Sequence, residues 1–262
     1  MKKLPRQFYK QPTLIVAEEL LGKYLVRKIS KKKLVGKIVE TEAYIGPEDR
    51  ASHAYLPREN FKPISKKRLK SLFRGKNFNT KEFYKNFLRG GGKVTERCKT
   101  EYLIGGHIYI YLCYGMYWQL NITTAEAGKP ECVLIRALEP IEEEAQNKKL
   151  ASGPGKLCQW LKLDKSFDGE DLIKSKRIWL EDPVPFRQGR RYGVSRGVEI
   201  KSSTRAKLGA GLVRDLNKVS GAGKSQIVAA KRIGIDYAGP WKDKLWRFYL
   251  KDNPFTSRQQ FP

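Results

Sequence analysis

Short apolar stretches typical of β-strands, several of them closed by glycine turns, recur along the chain and restrict the folds open to it. The main strand patterns cover residues 34–44, 107–113, 117–123 and 132–138, and shorter ones cover 24–27, 178–180 and 246–250. Helical patterns cover residues 13–22 and 152–163, the latter beginning near Pro154. This mixture predicts one α+β domain, residues 1–262, built on a curved, mostly antiparallel β-sheet flanked by helices.

Positive charge is concentrated in two segments. The chain has 53 Lys and Arg against 27 Asp and Glu, a net charge of +26, and residues 54–92 and 187–224 carry +9 and +8 of it. The first segment is predicted to be a basic insertion with two short amphipathic helices that end near Gly75 and Gly90. The second is rich in Gly and Ser and is predicted to be a long surface loop or a disordered segment.

This charge points to a polyanionic partner, either nucleic acid or an anionic membrane surface. A ribosome-associated protein would also be basic, but a uniformly basic proteome would not concentrate the charge. No stretch approaches the roughly 18 apolar residues of a membrane span, and we expect no membrane partner and no signal peptide. The cysteine and histidine spacings fit no metal or redox motif, so we expect no metal and a reducing cytoplasm.

Four strand patterns carry chemically notable residues. On the first, Glu40, Glu42 and Tyr44 share one face, which is either a site or a solvated edge. The second and third carry tyrosines on either side of Gly115, which suit either base stacking or an aromatic core. The fourth places Arg136 among apolar neighbours, where it must pair with an anion or extend its side chain to solvent at the strand end.

A phosphate loop is not expected. The stretch GAGKS at residues 221–225 resembles the end of such a loop, but Lys218 stands where the pattern needs glycine, and no strand precedes it.

In chain order, these segments resemble the alkyladenine (methylpurine, 3-methyladenine) DNA glycosylase family. The matching motifs are LLGKYLVRKI, GKIVETEAYIGPEDRASHA, YIYLCYGMYWQLNI, VLIRALEP, SGPGKLCQWL and RIGIDYAGPWKDKLWRFYL. The resemblance covers about two-thirds of the chain, and the combination of its second and third motifs is highly specific. The two basic segments depart from the family pattern and look inserted.

The resemblance implies a role for each matched residue. Glu42 is the expected general base that activates water, and Arg136 helps to position both. The expected walls of a pocket for a flipped base are Tyr44, His53, Tyr111 and Asn121, with Asn121 excluding the amine of guanine. Tyr114 is the expected intercalating side chain. The expected DNA contacts are Thr95, Arg97, Met116, Tyr117 and Lys156.

The resemblance also implies a reaction. The expected activity is a monofunctional DNA glycosylase of base excision repair, which hydrolyses the N-glycosidic bond of alkylated or deaminated purines in double-stranded DNA. No lysine falls in the matched pocket motifs, so no Schiff base and no strand cleavage are expected. We expect a monomer without metal or organic cofactor, associated with the nucleoid in a bacterium. The alternative is a non-catalytic RNA- or ribosome-binding protein.

Overall fold

A computed structural model of the chain describes residues 2–73, 80–141, 150–183 and 227–257. In this part of the chain, nine strands form one unclosed sheet in which neighbouring strands run antiparallel. The strands are β1 (Lys2–Lys3), β2 (Tyr24–Ile29), β3 (Lys32–Ile45), β4 (Ile108–Cys113), β5 (Tyr117–Thr123), β6 (Glu131–Pro140), β7 (Ile178–Asp182), β8 (Ile227–Ala230) and β9 (Arg247–Leu250).

The 14-residue strand β3 organises the sheet. The strand order is β1-β7-β2-β3-β6-β5-β4, and β8 joins through β9. One edge of β3 pairs with β6, while its other edge pairs first with β2 and then, at Glu40–Glu42, with β9. A register irregularity near Glu40 interrupts the pairing with β6. Because both edges of β3 are paired at Glu40 and Glu42, this part of the strand is enclosed.

The main core lies between the sheet and its flanking helices α1 (Arg6–Tyr9), α2 (Thr13–Glu19) and α5 (Pro154–Trp160). Alternate residues of the strands, such as Ile108, Ile110 and Leu120, are fully or almost fully buried in it. The hydroxyl of Thr41 on β3 donates to the carbonyl of Ala17 at 2.8 Å, which ties α2 to the centre of the sheet. The predicted α+β architecture is therefore confirmed.

Residues 54–92, here called the helical insert, contain two further helices, α3 (Lys66–Leu72) and α4 (Thr80–Gly90). Ser65 caps α3 by accepting from the N–H of Arg68. The apolar residues of both helices pack in a second cluster, separate from the main core, which is completed by Cys98, Tyr102, Leu103 and Ala127. Both predicted helices are present. The predicted end of the first at Gly75 lies outside the described residues, and the second ends at Gly90.

Most predicted element bounds differ from the structure by one to three residues. Strand β5 has its predicted bounds, whereas α2 ends at Glu19 rather than Gly22, whose φ of 82° is left-handed. The second basic segment, residues 187–224, lies outside the described residues, as does the GAGKS stretch. The short strand β8 was not predicted.

Candidate active site

Two carboxylates and an arginine form a buried network under the sheet face. Glu40 and Glu42 on β3 are both 0% exposed. Arg136 on β6 contacts both, with Nε 3.0 Å from Glu40 Oε1 and Nη1 3.2 Å from Glu42 Oε2. Burial opposes the charge of Arg136, but Glu42 and Glu40 outweigh it and raise the pKa of the guanidinium. Glu40 and Glu42 therefore do not lie on a solvated strand edge, and Arg136 does not extend its side chain to solvent.

The two carboxylates differ in what surrounds them. Glu40 accepts from Arg136, from Arg247 at 3.0 Å and from the N–H of Ser257 at 2.7 Å. Glu42 accepts from the hydroxyl of Tyr44 at 3.0 Å and from the N–H of Ile233 at 2.8 Å. Arg136 and Tyr44 line the neighbouring cavity, whereas Glu42 lies directly behind them. Both carboxylates contact Arg136, but Glu42 also contacts Tyr44 and Ile233 of the cavity lining, so it is the more closely connected of the two to the cavity.

That cavity has a volume of about 480 Å³, enough for a flat bicyclic ring. Strands β3 to β6 supply one side of it and the stretch after β8 supplies the other. Its lining includes the predicted pocket residues Tyr44, His53, Tyr111 and Asn121, together with Ser52, Arg97, Glu101, Tyr109, Tyr114, Arg136 and Tyr237. The structure therefore brings the predicted pocket residues together.

One wall of the cavity is a hydrogen-bonded aromatic group. Nδ1 of His53 lies 2.7 Å from the hydroxyl of Tyr109, and the His53 ring meets Tyr111 edge-to-face at 4.5 Å. Burial, followed by the charge of Arg97, lowers the pKa of His53 to about 4. His53 is therefore neutral at physiological pH and can present one donor and one acceptor nitrogen.

A buried ion pair lies behind the opposite wall. Arg232 makes two hydrogen bonds to Asp49, at 2.6 and 2.9 Å, and its guanidinium stacks 4.8 Å from the ring centre of Tyr44. Sequence reasoning assigned no role to either residue. The available signal was their position, because both fall inside the motifs GPED and RIGIDYAGP.

The rim of the cavity exposes large apolar side chains. Tyr114 is 88% exposed, and Met116, Tyr117 and Tyr237 are also exposed. Tyr114 has a φ of 49°, a left-handed conformation that costs a tyrosine about 1–2 kcal/mol. Together with Gly115 it makes the turn that joins β4 to β5 and holds its ring away from the sheet. Tyr237 was not predicted.

The remaining predicted contact residues are placed differently. Arg97 lines the cavity and lies 5.1 Å from the ring centre of Tyr111. Lys156 is exposed on α5, next to Gly155, which packs on Tyr117. Thr95 exchanges hydrogen bonds with Cys98 within its own turn, so its side chain has a local structural role.

Among the described residues, no group of three or more His, Cys, Asp or Glu side chains could hold a metal ion. None of the described residues that line the cavity is a lysine. No helix in the described part of the chain is long and apolar enough to cross a membrane.

Fold and site together point to one class of protein, in which the face of an antiparallel sheet carries an aromatic cavity and an acid–arginine network lies buried behind one wall. The sequence profile of the family "Methylpurine-DNA glycosylase (MPG)" matches residues 7–66 and 89–208. The chain therefore belongs to the methylpurine-DNA glycosylase family.

Individual relatives match over almost the whole chain. A protein of Natranaerobius thermophilus is 33% identical over 97% of this chain and 98% of its own length. A protein of Clostridium perfringens strain SM101 is 36% identical over 98% of this chain and 100% of its own length. A protein of Borrelia garinii is 35% identical over 98% of this chain and 100% of its own length. All three carry the name "Putative 3-methyladenine DNA glycosylase".

The family match also bears on the two basic segments. It omits residues 67–88, which include most of α3 and α4. It continues to residue 208, so the matched range includes part of the second basic segment.

Proposed function

We propose that this chain, a DNA-repair glycosylase by family, flips alkylated or deaminated purines out of duplex DNA and hydrolyses their N-glycosidic bond. The substrates are of the 3-methyladenine, 7-methylguanine, hypoxanthine and ethenoadenine class. The observation that carries the proposal is the pair Glu42 and Arg136, buried against one wall of an aromatic cavity of purine size.

The cavity walls suit a cationic purine. Stacking on an aromatic ring contributes about 1–3 kcal/mol per base, and a positively charged base gains further attraction from the electrons of the ring. Tyr44 and Tyr111 offer such rings. Because Arg232 already lies on Tyr44 and Arg97 on Tyr111, a bound cationic base must use the free faces or displace Arg97.

Glu42 is the proposed general base. Water held at the cavity surface by Arg136 would lose its proton towards Glu42 as it attacks C1′ of the sugar. An alkylated, positively charged purine leaves as a neutral molecule, so the second carboxylate that ordinary glycosidases use as an acid is not needed. Burial and then the charge of Glu42 hold the pKa of Tyr44 above its usual value, so Tyr44 stays protonated and orients the carboxylate.

Tyr114 is the proposed intercalating residue. Its exposed ring on a strained turn can fill the space that a flipped nucleotide leaves in the base stack. Met116, Tyr117 and Lys156 would then contact the same face of the duplex, with Lys156 at a phosphate.

Asn121 is the proposed screen against undamaged guanine. Its side chain is 2% exposed at the cavity surface, and its amide donates to the carbonyl of Gln119 at 3.2 Å. This bond fixes the side chain, which would clash with the guanine amine or leave it unpaired. We expect Asn121→Ser to release more guanine from undamaged duplex, and release at the wild-type background would remove this role.

The helical insert is the proposed auxiliary DNA clamp. It joins His53 in the cavity to Thr95 and Arg97 at its border, so both of its ends are held on the cavity side of the protein. The lysines of its helices are exposed while its apolar faces are buried. Phosphate contacts from these lysines carry no sequence information and would raise affinity for damaged and undamaged DNA alike.

The test is an excision assay with duplexes that carry one lesion each, followed by separate detection of free base, abasic site and strand breaks. We expect free base and abasic sites without enzyme-made breaks, because the described cavity lining holds no lysine for a Schiff base. Tight binding of RNA without release of any base would instead favour the non-catalytic RNA- or ribosome-binding protein.

A further inference from the structure

Glu101 is a buried carboxyl group without a cationic partner in the described part of the chain. It lies in the turn before β4 and is 2% exposed. Its contacts are neutral: Ser52, whose hydroxyl is 3.5 Å away, and Tyr109. Glu40, Glu42 and Asp49, by contrast, each pair with an arginine.

The isolation of Glu101 affects its protonation. Burial raises the pKa of Glu101 to about 8, against the opposing effect of hydrogen bonds from Tyr109 and Ser52. A carboxylic acid with this pKa changes its charge within the range in which enzymes work. The active-site roles proposed above do not use it.

Tyr109 connects Glu101 to the cavity. Its hydroxyl is 2.7 Å from Nδ1 of His53 and hydrogen-bonds to the Glu101 carboxyl. The direct separation of Glu101 Oε1 and His53 Nδ1 is 3.7 Å, too long for a hydrogen bond. The second ring nitrogen of His53, Nε2, has no partner among the described residues, and the His53 side chain lines the cavity.

We propose that Glu101 is a positioning residue that sets, through Tyr109, which tautomer His53 presents to the flipped base. This inference rests on the proposed function. When Glu101 is protonated, it donates to the Tyr109 oxygen, Tyr109 donates to Nδ1, and Nε2 carries a proton into the cavity. When Glu101 is ionised, Tyr109 donates to Glu101, Nδ1 donates to Tyr109, and Nε2 becomes an acceptor.

The two states differ by one proton. The carboxyl proton passes to Tyr109, the Tyr109 proton passes to Nδ1, and the proton of Nε2 leaves to solvent. Tyr109 keeps a proton in both states. This agrees with the pKa of its hydroxyl, which is raised first by burial and then by the charge of Glu101. His53 is neutral in both states.

Other groups around Glu101 bear on its titration. Asp49 opposes its ionisation. The remaining titratable and charged groups coupled to Glu101 or to His53 are Cys98, Tyr102, Tyr111, Cys132 and Arg97. Burial raises the pKa of the two cysteine thiols, so they stay neutral while Glu101 titrates.

The tautomer matters for neutral substrates. A neutral purine such as hypoxanthine departs with negative charge, which a donor in the cavity stabilises and an acceptor does not. A 7-methylpurine is already cationic and needs no donor. The protonated state of Glu101 should therefore favour neutral lesions selectively.

The first test is ¹⁵N NMR of the free protein, whose only other histidine is His107. His107 Nδ1 is 2.8 Å from the carbonyl of Ile104, which can only accept, so the protonated Nδ1 of His107 serves as an internal reference. We expect His53 to change from the Nε2–H to the Nδ1–H form between pH 7 and pH 9. In Glu101→Gln, whose amide donates to Tyr109 at every pH, and in Tyr109→Phe, this titration should disappear. An unchanged wild-type tautomer, or a titration that persists in both variants, would overturn the proposal.

The second test is the pH dependence of base release. From pH 7 to pH 9, wild-type release of hypoxanthine relative to 7-methylguanine should fall about tenfold, because with a pKa of about 8 the protonated fraction of Glu101 falls from about nine-tenths to about one-tenth. Glu101→Gln should keep this ratio constant, whereas the remote control Glu126→Gln should retain the wild-type fall. A constant wild-type ratio contradicts the role of Glu101. Failure to release any base would refute the proposed function, while the NMR titration would still decide the tautomer.

Discussion

The sheet and the helical insert use charge in opposite ways. Behind the cavity, Glu40, Glu42 and Arg136 are buried within a fixed set of contacts on neighbouring strands. In the insert, lysines such as Lys67 and Lys70 are exposed, and the buried residues are apolar. One region holds its charges at defined positions, and the other displays them to solvent.

This contrast indicates which charges are replaceable. Removing one member of a buried pair strands its partner and costs about 3–5 kcal/mol, whereas an exposed pair contributes about 0–1 kcal/mol. Buried charges can therefore specify a reaction geometry, whereas exposed ones attract DNA and contact its phosphates without fixing a geometry. The following substitutions test this difference.

The largest effect is expected for Glu42→Gln. Loss of a general base should lower the rate of excision by about 10²–10⁴-fold, measured in a single turnover, while lesion binding is largely retained. Because both oxygens of Glu42 accept hydrogen bonds, the Gln amide nitrogen must face a donor, which should cost about 1–3 kcal/mol of stability. Glu139→Gln, in a partly exposed pair with Lys37, is the matched control. A wild-type rate in Glu42→Gln would move the assignment to Glu40.

Next is Arg232→Met, which leaves Asp49 buried and unpaired. We expect the free energy of unfolding to fall by about 3–5 kcal/mol in denaturant titrations. The control is the adjacent Lys231→Met, which removes an exposed ion pair with Asp243. This substitution should change the free energy of unfolding by less than about 1 kcal/mol. Equal losses in the two variants would contradict the distinction between buried and exposed pairs.

Tyr114→Ser should act on DNA rather than on folding. The exposed ring contributes little to stability, so unfolding should change by less than about 0.5 kcal/mol. Loss of stacking worth about 1–3 kcal/mol should shift the flipping equilibrium about 5- to 150-fold towards the stacked base. Fluorescence of ethenoadenine in the bound duplex reports this equilibrium. If Tyr237→Ser reduces flipping and Tyr114→Ser does not, the intercalating residue is Tyr237.

The smallest effect is expected in the helical insert. Replacing Lys67 and Lys70 on α3 with Gln should reduce the log–log salt slope of duplex binding by about 1.8, because each lysine–phosphate interaction accounts for about 0.9 of it. Stability should not change. Lys28 and Lys31, also exposed and three residues apart but at the far end of β3 from Tyr44, give the control pair. An unchanged slope in the Lys67 and Lys70 variant would make the insert structural and end the clamp proposal.

Much of the fold could be predicted from the sequence because its signals are local. The turn at Gly115 and the alternation around it predicted β5 with its observed bounds. Helical spacing predicted α4, and the glycine at its end predicted that it stops at Gly90. The pocket residues Tyr44, His53, Tyr111 and Asn121 and the roles of Glu42 and Arg136 were expected only from the family resemblance of the motifs that contain them, and the structure places these residues at one cavity.

The burial of charged groups and the identity of their partners depended instead on tertiary structure. Asp49 and Arg232 are 183 residues apart, and Glu101 is connected to His53 through Tyr109 on β4, 56 residues from His53. Whether Glu42 lies on an open edge or an enclosed strand depends on β9 pairing with β3 across a long sequence separation. Local periodicity assigns a residue to a strand face, but burial depends on what the rest of the chain places against that face, and burial sets both the pKa and the partner of a charged group.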